Sequence, residues 1–576
     1  MLFTLKIIRN HQDKAFRIID VKNVKISDIS LISEDDIWEY NDIFSEIIAS
    51  KKDVIEYLIS PTLTRIEGVT LFYDRVCRFI YCLMLIKATK ENAIFINLDY
   101  KVIKALIKYA AQNKHKVRFG LYDISLFNLF KWLKFIRDAI KIVFINAFAI
   151  IASRFYIKIP EKFSFDYAFY TFYDYRSYQE GKHRDEYFDP FLKWLINKGK
   201  EIIVFNQIMH HNKIWLVLEY LSQISKPCFK YQNSINYRYL SLKDLILAMI
   251  FGFCKKPKIK RSIFFKGCDI SYLTQLSLEE DFLGLTWMKA YLDYFFARDI
   301  LKRFSIKKIF YPFENHPWEK AFILARNEIF SSTKLIAFQH SSVSYKLLQY
   351  FPGKYEEGLS FLPDKILTGG RMLKNVLEAK GHYAAGLVEE GCGLRYGHLF
   401  ETQHANFKRN KFKKVAYAFS FDFKNYEIIL SYLTKIFDNN DYTVYLKFHP
   451  DFVRNICFKH SLPKNFIDAR DTPWEKIFGE IDLLLYDDNT LCIEALKYNI
   501  GVGYFALTGQ MYNTDRLFEY KRNKIIVNSV EGFKDYLKKY YQQESMDGVN
   551  EMGDYNKDYI NNYFSVINDE KFASFL

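Results

Sequence analysis

The sequence predicts an α/β protein of two facing domains, each built on a parallel sheet, with a cleft between them and extra helices in the N-terminal half. The chain has 576 residues, which is too long for one hydrophobic core. Short β-branched or aromatic runs alternate with helical stretches, as in parallel α/β proteins. Glycine (23) and proline (12) are scarce, which disfavours a turn-rich all-β fold. Hydrophobic residues at 50% and charged residues at 26% exclude a disordered chain.

The first set of alternating segments predicts an N-terminal domain over residues 1–400, which is the expected acceptor side. Each strand is a short apolar or aromatic run, and each helix is a longer segment with apolar residues three or four positions apart. Predicted strands lie at 93–98, 116–122, 165–174, 201–208, 307–314, 334–342 and 364–370, and predicted helices at 101–114, 190–199, 317–330 and 371–381.

A basic linker over residues 401–413 precedes a second predicted α/β domain at 414–576, the expected donor side. Two such domains place a cleft where the carboxyl ends of their strands face each other, and open α/β sheets bind ligands at those ends. Predicted strands lie at 414–422, 442–450, 466–470, 482–488 and 501–506, with helices at 425–437, 473–481 and 490–498 and a helical C-terminal tail.

The chain is basic, with 82 Lys and Arg against 67 Asp and Glu, a net charge of +15. Such an excess suits a phosphate-bearing substrate, a polyanion or an anionic membrane face. No long Arg-rich arm occurs, so we expect no nucleic-acid partner. The eight cysteines form no CxxC pair and the N-terminus lacks a signal-peptide pattern, which predicts a cytoplasmic protein.

Two segments, at about 126–155 and 240–262, combine bulky apolar residues with lysines and arginines. This composition is typical of helices that lie in a membrane interface, so we expect peripheral contact with the anionic inner face of the cytoplasmic membrane. The alternative is a pair of ordinary amphipathic helices packed on the domain. The basic residues are Lys131, Lys134, Arg137 and Lys141 in the first segment and Lys255, Lys256, Lys258, Lys260 and Arg261 in the second.

The sequence Lys447-Phe448-His449-Pro450 ends a predicted strand of the second domain. A histidine at this end of a parallel strand faces the cleft, and proline ends the hydrogen-bond ladder because it has no N–H. The imidazole can donate to a phosphate oxygen, and Lys447 adds positive charge. The alternative is a histidine that only caps the strand.

A polar turn follows the next predicted strand end, within residues 486–496. Asn489 or Thr490 can cap the helix that follows, and the free N–H groups at its start favour an anion. Glu494 lies about one turn into this helix and can bind ribose or sugar hydroxyls. Ordinary helix capping and a surface acid are the alternatives.

The strand-HP motif and the polar turn together resemble the donor-binding domain of GT-B-type glycosyltransferases. They are similar to bacterial capsule and O-antigen enzymes, including CMP-sialic acid and Kdo transferases and CDP-glycerol transferases. The resemblance spans about residues 160–510 and includes the short sequences at 313–319, 339–342 and 393–396. It implies two facing Rossmann-like domains, with the HP histidine and the turn holding the nucleotide phosphates. Asn489-Thr490 stands here where the family more often has a serine pair.

Acidic and imidazole side chains end three predicted strands of the first domain. Transfer of a sugar to a hydroxyl needs a base near the attacking oxygen and positive charge near the departing phosphate. Glu314 or Asp174 is the expected base, and His340 is the third catalytic candidate; a helix cap and a salt-bridged loop are the alternatives for the two acids. The remaining candidates are Ser341 and Ser342 for the donor and Arg176 and Asp185 for the acceptor.

No D-x-D motif follows a suitable strand, and neither G-x-G-x-x-G nor a P-loop occurs. We therefore expect no metal and no cofactor besides the nucleotide-sugar co-substrate. The sequence predicts a metal-independent glycosyltransferase that acts on a surface polysaccharide or polyprenyl-linked glycan with a CMP- or UDP-sugar donor. Open alternatives are a nucleotide-sugar epimerase or a CDP-alcohol phosphotransferase of the same architecture, or a non-catalytic scaffold in polysaccharide assembly.

Overall fold

The computed structural model of the chain contains two large parallel sheets with helices on their faces, which confirms the predicted α/β fold. It describes residues 17–21, 28–51, 54–88, 93–96, 98–113, 118–119, 124–179, 181–209, 213–227, 231–400, 413–420, 426–438, 441–449, 462–508, 511–522, 524–542 and 549–576.

Strands and helices alternate through the described residues. The strands are β1 (Arg17–Asp20), β2 (Ala93–Ile96), β3 (Arg118–Phe119), β4 (Ser164–Tyr173), β5 (Tyr178–Gln179), β6 (Lys182–His183), β7 (Ile202–Ile208), β8 (Gln232–Ile235), β9 (Phe264–Phe265), β10 (Cys268–Asp269), β11 (Ser305–Phe313), β12 (Lys334–Gln339), β13 (Lys365–Thr368), β14 (Val388–Glu390), β15 (Lys414–Ala418), β16 (Thr443–Lys447), β17 (Phe466–Asp468), β18 (Leu483–Tyr486), β19 (Gly501–Phe505) and β20 (Lys524–Val527). The α-helices are α1 (Asp36–Ala49), α2 (Ile55–Leu58), α3 (Glu67–Thr70), α4 (Phe72–Ala88), α5 (Tyr100–Gln112), α6 (Ile124–Tyr156), α7 (Asp189–Asn197), α8 (Ile214–Ile224), α9 (Leu242–Cys254), α10 (Ser271–Leu283), α11 (Thr286–Arg303), α12 (Pro317–Glu328), α13 (Arg371–Lys380), α14 (Tyr426–Ile436), α15 (Trp474–Glu480), α16 (Leu491–Lys497), α17 (Val530–Gln542), α18 (Val549–Tyr563) and α19 (Asp569–Ser574).

The larger sheet has seven parallel strands in the order β14-β13-β12-β11-β4-β7-β8. Its strands read as near-continuous apolar runs because helices cover both faces, and every residue of β7 is buried. The chain adds strands in one direction from β4 to β8 and in the other from β11 to β14. The order therefore reverses between β4 and β11, as in a Rossmann-like sheet.

The second sheet has six parallel strands in the order β17-β16-β15-β18-β19-β20. Here the order reverses between β15 and β18, which is the arrangement found in Rossmann folds. In register, Ala418 of β15 pairs with Lys447 of β16 on one side and with Tyr486 of β18 on the other. The loops that follow these three strands therefore share one edge of the sheet.

The last helices leave the six-stranded sheet and return to the seven-stranded one. Phe572 packs on Phe191, and Lys571 forms an ion pair with Glu390. The connecting segment passes so close to Gly370 that a Cβ there would lie 2.4 Å from the carbonyl oxygen of Tyr563. The end of the chain therefore ties the two sheets together. The predicted domain limits, 1–400 and 414–576, stay a prediction.

A third, smaller sheet lies in the N-terminal part and joins β1, β2 and β3 in parallel. Helices α1 and α4 pack beside it around buried aromatic residues such as Tyr40, Phe44 and Tyr73. A buried ion pair between Arg65 and Glu356, with 2.5 Å between nitrogen and oxygen, ties this region to the loop before β13. Of the predicted strands 93–98 and 116–122, the parts that the structure describes as strand are β2 and β3, and both belong to this sheet.

The first segment predicted as a membrane-interface helix folds as α6. The second, predicted over 240–262, is helical only as α9 and ends at Cys254, so its basic residues Lys255–Arg261 follow the helix, in a stretch where Pro257 cannot continue it. Residue Gly252 of α9 lies against Trp287 of α11, where a Cβ would come within 1.8 Å of the indole ring. This close approach fixes α9 on the domain with one face outward. Within the described part of the chain, neither these helices nor any other is long and apolar enough to cross a bilayer.

Candidate functional site

The two positions where strand order reverses both carry polar side chains at the carboxyl ends of the strands. In the seven-stranded sheet, Asp174 follows β4 and Glu314 follows β11. In the six-stranded sheet, Ser420 lies two residues beyond β15, and its hydroxyl is 3.4 Å from the carboxylate of Asp487, which follows β18. Ligands of open α/β sheets bind in the crevice at these positions. Both sheets thus offer a candidate binding edge.

The two edges meet at a hydrogen bond between predicted site residues. The hydroxyl oxygens of Ser342, after β12, and Thr490, after β18, are 2.6 Å apart. A second contact runs beside it, since the Arg516 guanidinium donates to the Ser342 carbonyl oxygen at 2.6 Å. The carboxyl edges of the two sheets therefore face each other, and Ser342 and Thr490, assigned to the donor from sequence, lie at their junction. Ser341 donates locally to the Ser342 carbonyl oxygen.

A buried ion cluster of Lys346, Asp488 and Arg516 fastens this junction. The Asp488 carboxylate lies 2.5 Å from Arg516 and 3.2 Å from Lys346, which comes from the opposite sheet. Burial acts to raise the pKa of Asp488, but the charges and hydrogen bonds of Arg516 and Lys346 outweigh it and lower this pKa below its ordinary value. The carboxylate is therefore ionised and held between two cations.

The polar turn is organised mainly by Asn489. Thr490 is the N-cap residue of α16, but its side chain makes no capping hydrogen bond. The Oδ1 of Asn489 accepts from the backbone N–H of Leu491, the first residue of α16, at 3.0 Å, and its Nδ2 donates to the carbonyl oxygen of Phe419 at 3.2 Å. The second contact joins the turn after β18 to the loop after β15. Glu494 lies in α16 with its Oε2 3.4 Å from Nε2 of His398.

His449 lies two residues beyond β16, half-buried, on the far side of β15 from Asn489. Since Lys447 and Tyr486 both pair with Ala418, the two loops emerge at the same level of the sheet. Lys447 donates to the carbonyl oxygens of Arg470 and Thr472 at 2.7 and 2.6 Å. Pro450 lies outside the described residues.

On the opposite edge, Glu314 stands between two histidines. Its carboxylate is 3.3 Å from Nδ1 of His316 and 3.7 Å from Nε2 of His340. Glu314 and His340 each come one residue after a paired position, Phe313 and Gln339, so they reach the same level. Burial, followed by the charges of Arg395 and His316, holds the pKa of His340 well below its ordinary value. His340 is therefore a neutral imidazole near neutral pH.

Glu319 fixes the backbone that carries Glu314. Its Oε1 accepts from the backbone N–H groups of both Glu314 and His316 at 2.9 Å. The side chain is 1% exposed, and burial raises its pKa. Because it sits in the first turn of α12, this acid closes the loop from β11 onto the helix that follows.

Asp174 begins a chain of ion pairs across the same edge. Arg176 contacts Asp174 at 2.5 Å and Glu186 at 2.7 Å, and Arg395 contacts Glu186 at 2.9 Å. The Arg395 guanidinium lies 5.0 Å from the ring centre of Tyr187, and that ring meets the His340 imidazole edge-on at 4.8 Å. These contacts connect Asp174 and Arg176 with the Glu314 cluster.

Asp185 has a different environment from the other candidates. Its carboxylate accepts from the backbone N–H groups of Tyr187 and Phe188 at 2.8 and 2.6 Å. Burial raises the pKa of Asp185 to about 6. These contacts hold the backbone before α7, including Tyr187, whose ring contacts His340. Asp185 is therefore connected with the Glu314 cluster through Tyr187.

Several residues of this arrangement escaped the sequence analysis. His316 and Glu319 lie with Glu314 in the short sequence 313–319, and Arg395 lies in the short sequence 393–396. Both short sequences carried the family resemblance, so these residues could have been named as candidates from it. Lys346 and Arg516 are separated from Asp488 by long stretches of chain and belong to no motif. Among the described residues, no group of three or more His, Cys, Asp or Glu side chains is placed to hold a metal ion.

Comparisons with known proteins find similarity in structure only. No protein-family model and no curated protein sequence matches this chain. The lipopolysaccharide outer core galactosyltransferase WaaB has 11% identity and a TM-score of 0.38, over 71% of this chain and 100% of that one. A Methanocaldococcus jannaschii UDP-GlcNAc 2-epimerase in complex with UDP-GlcNAc and UDP has 9% identity and a TM-score of 0.37, over 66% and 93%. The wall teichoic acid polymerase TagF has 12% identity and a TM-score of 0.31, over 79% and 97%.

All three TM-scores lie below 0.5, so the fold assignment rests on the strand order and register of the chain itself. That order, with a reversal in each sheet and polar loops at both reversals, defines the candidate site independently.

Proposed function

We propose that this chain is a glycosyltransferase of the GT-B type that moves a sugar from a CMP- or UDP-sugar to a surface polysaccharide or lipid-linked glycan. One observation carries the proposal: the carboxyl edges of two Rossmann-like sheets meet, with Glu314 and His340 on one edge and the polar turn after β18 on the other. An acid with a neighbouring imidazole, facing a nucleotide-binding edge, supplies the groups that sugar transfer requires.

On the donor side, His449 and the turn at Asn489 and Thr490 would hold the nucleotide phosphates. They emerge on either side of β15, and the turn borders the position between β15 and β18 where the strand order reverses. The Lys447 ammonium has three N–H donors and uses two of them on the carbonyl oxygens of Arg470 and Thr472, so the third would be able to bind a phosphate oxygen. Glu494 would bind ribose or sugar hydroxyls. No metal ion is required in this scheme, since the imidazole and the N–H groups of the turn face the charge that develops on the departing phosphate.

On the acceptor side, Glu314 would take the proton of the acceptor hydroxyl. The hydroxyl oxygen then forms a bond to the anomeric carbon, the bond from that carbon to the phosphate oxygen breaks, and the nucleotide leaves with the electron pair. His340 is neutral and lies 3.7 Å from Glu314, so it can orient the carboxylate or pass the proton on. Asp174 is the second candidate for the base, linked to the same cluster through Arg176.

The outward face of α6 supports an acceptor that resides in a membrane. Its exposed apolar residues recur mostly at intervals of three or four, and lysines and an arginine flank them. A surface helix normally turns such residues inward. The outward apolar residues are Trp132, Leu133, Ile136, Ile140, Phe144, Ile151 and Phe155 on α6 and Leu242, Ile246, Ile250 and Phe253 on α9. We call these two rows the apolar ridge; it would lie on the anionic inner face of the cytoplasmic membrane.

The test is a titration of the whole protein with CMP, CDP, UDP and GDP, followed by thermal unfolding. A nucleotide at a hundred times its dissociation constant stabilises the folded state by about 2.7 kcal/mol. We expect CMP or UDP to raise the unfolding temperature. His449→Ala should weaken the binding of that nucleotide about 10- to 100-fold, because a hydrogen bond to a charged phosphate is lost. The matched control is His382→Ala, since His382 is exposed and belongs to neither edge.

Failure of every nucleotide to bind would contradict the transferase and favour a scaffold. Tight binding that His449→Ala leaves unchanged would refute the donor assignment. Conversion of the nucleotide sugar without any acceptor would identify an epimerase, and release of CMP from a CDP-alcohol would identify a phosphotransferase.

A further inference from the structure

A cavity of about 640 Å³ lies between α6, the end of β7 and the start of α11, outside the site described above. Its walls are largely apolar and include Ile145, Leu285, Met288 and Leu292. Three exposed lysines, Lys134, Lys141 and Lys289, line it as well, together with Asp138, whose carboxylate is paired with Arg137 at 2.7 Å. A volume in this range accommodates a head group of one or two rings with part of an alkyl chain.

Two buried polar residues lining this cavity have oxygens without a hydrogen-bond donor among the described residues. Gln207 is 3% exposed and Asp293 is 1% exposed, and the atoms concerned are Gln207 Oε1 and Asp293 Oδ2. The other carboxylate oxygen of Asp293 is fully used, because it accepts from the Tyr170 hydroxyl at 2.5 Å and from Gln207 Nε2 at 2.9 Å. Buried acceptors of this kind normally have a donor. Thr286 Oγ1, in the same lining, also lacks one.

The lining indicates the chemistry of an occupant. The unpaired oxygens call for several O–H or N–H donors, the lysines call for an anion, and the apolar walls call for hydrocarbon. Water would satisfy the oxygens and leave the apolar walls wet. Burial raises the pKa of Asp293 to about 6, so the carboxylate is mostly ionised at neutral pH and acts as an acceptor.

The position of the cavity connects it with both the candidate site and the apolar ridge. Ile208, which lines the cavity, pairs with Tyr173, the residue before Asp174. On the other side, Lys141, Ile142 and Ile145 of the lining lie on α6, whose exposed Ile140 and Phe144 belong to the ridge. A molecule with its chain along the ridge can place its head group in the cavity, one strand from Asp174.

We propose that this cavity binds the head group of an anionic lipid whose phosphate carries a polyhydroxylated ring. Gln207 and Asp293 accept hydrogen bonds from the ring hydroxyls, and Lys134, Lys141 and Lys289 face the phosphate. The inference rests on the proposed function, because it names the class of lipid-linked acceptor. Its residues are separate from those assigned to the donor.

The test uses dioctanoyl phosphatidylinositol, which combines these features and dissolves as a monomer, so that binding to a vesicle surface plays no part. Isothermal titration of the whole protein should show binding at least tenfold tighter than for dioctanoyl phosphatidic acid, which has the same chains and a phosphate but no ring. Asp293→Asn keeps the shape and the Oδ1 acceptor and replaces the unpaired oxygen by a donor. It should weaken the binding of the inositol lipid at least tenfold.

Lys141→Glu is the second variant, since the Lys141 side chain is exposed and we expect the change to leave folding intact. This variant should also bind the inositol lipid at least tenfold more weakly. Lys538→Glu, the same charge change at an exposed lysine of α17, is the control and should leave the affinity unchanged. Equal affinity for the two lipids, or unchanged binding in Asp293→Asn and Lys141→Glu, would overturn the proposal. The unmodified protein and each variant are also titrated with CMP and UDP. Nucleotide binding without selectivity for the inositol lipid refutes the lipid site in the cavity and leaves the proposed transferase standing. Selectivity for the inositol lipid without nucleotide binding refutes the proposed transferase.

Discussion

Glu314 owes its position to its neighbours on three sides. Glu319 holds its backbone N–H, and His316 and His340 flank its carboxylate at 3.3 and 3.7 Å. The loop between them includes Asn315 with φ of 54°, a left-handed conformation that asparagine tolerates better than most residues. Such a fixed carboxylate suits a base, because proton transfer requires the acceptor oxygen within hydrogen-bond reach of the substrate hydroxyl.

Replacement of this carboxylate gives the first prediction. Glu314→Gln keeps the size of the side chain and removes its capacity to take a proton. We expect kcat to fall about 10²- to 10⁴-fold, the usual contribution of a general base, while the nucleotide affinity stays unchanged. Turnover is measured as nucleotide released from the donor in the presence of acceptor.

Glu357→Gln is the control for this experiment, since Glu357 is exposed and outside the cluster. If Glu314→Gln retains full turnover and Asp174→Asn loses it, the base is Asp174. If neither change slows transfer, the catalytic assignment on this edge is wrong.

At the scale of single elements, α6 differs from an ordinary surface helix of a globular domain. Apolar residues lie on both its faces: Ala149 and Ile150 are buried, whereas Ile140 and Phe144 are 66% and 60% exposed. The sequence predicted this helix correctly. The sequence left open whether the apolar face packs on the domain or faces a membrane, because the same residue types occur in both environments.

The second prediction concerns the apolar ridge. The triple change Ile136→Ser, Ile140→Ser and Phe144→Ser should reduce binding to vesicles of anionic phospholipid at least tenfold, since each side chain buried in lipid contributes about 1.5–3 kcal/mol. Co-sedimentation with the vesicles measures it. These side chains are exposed, so the unfolding temperature should not change.

Phe330→Ser supplies a matched loss of one exposed aromatic residue elsewhere, since Phe330 is 92% exposed and lies after α12. It should bind vesicles as the unmodified protein does. Equal vesicle binding by the triple variant, or no binding by the unmodified protein, would contradict a membrane role for the ridge.

For the whole molecule, the decisive contacts join segments that are far apart in sequence. Strand positions could be predicted because β-branched and aromatic runs are local signals. Strands β12, β15 and β18 lie within the predicted ranges, and β4 and β11 begin one and two residues before theirs. Their order across each sheet, the return of α18 and α19, and the Lys346–Asp488–Arg516 cluster could not be predicted, because no local pattern encodes them. Ser342 and Thr490 could nevertheless be named as candidates, because each follows a predicted strand and open α/β sheets bind ligands at the carboxyl ends of their strands.

The third prediction concerns this cluster. Arg516→Met should destabilise the protein by about 3–5 kcal/mol, because it removes the main partner of a carboxylate that is buried almost completely. The loss is measured as a lower unfolding midpoint in urea. Asp488→Asn in the same background should recover part of it, since the charge left without its partner is then gone.

Arg522→Met is the control, because Arg522 is exposed and its guanidinium lies over the ring of Tyr555. An Arg516→Met variant as stable as this control would show that the cluster does not hold the two sheets together.

The measurement that tests the central claim most directly is a crystal structure of the protein with the nucleotide that stabilises it. We expect a phosphate oxygen within about 3 Å of the His449 imidazole and of the polar turn at 489–490, with Glu314 across the junction facing the open side of that phosphate. A nucleotide bound at another edge of either sheet, with His449 and the turn contacting different molecules or none, would contradict it.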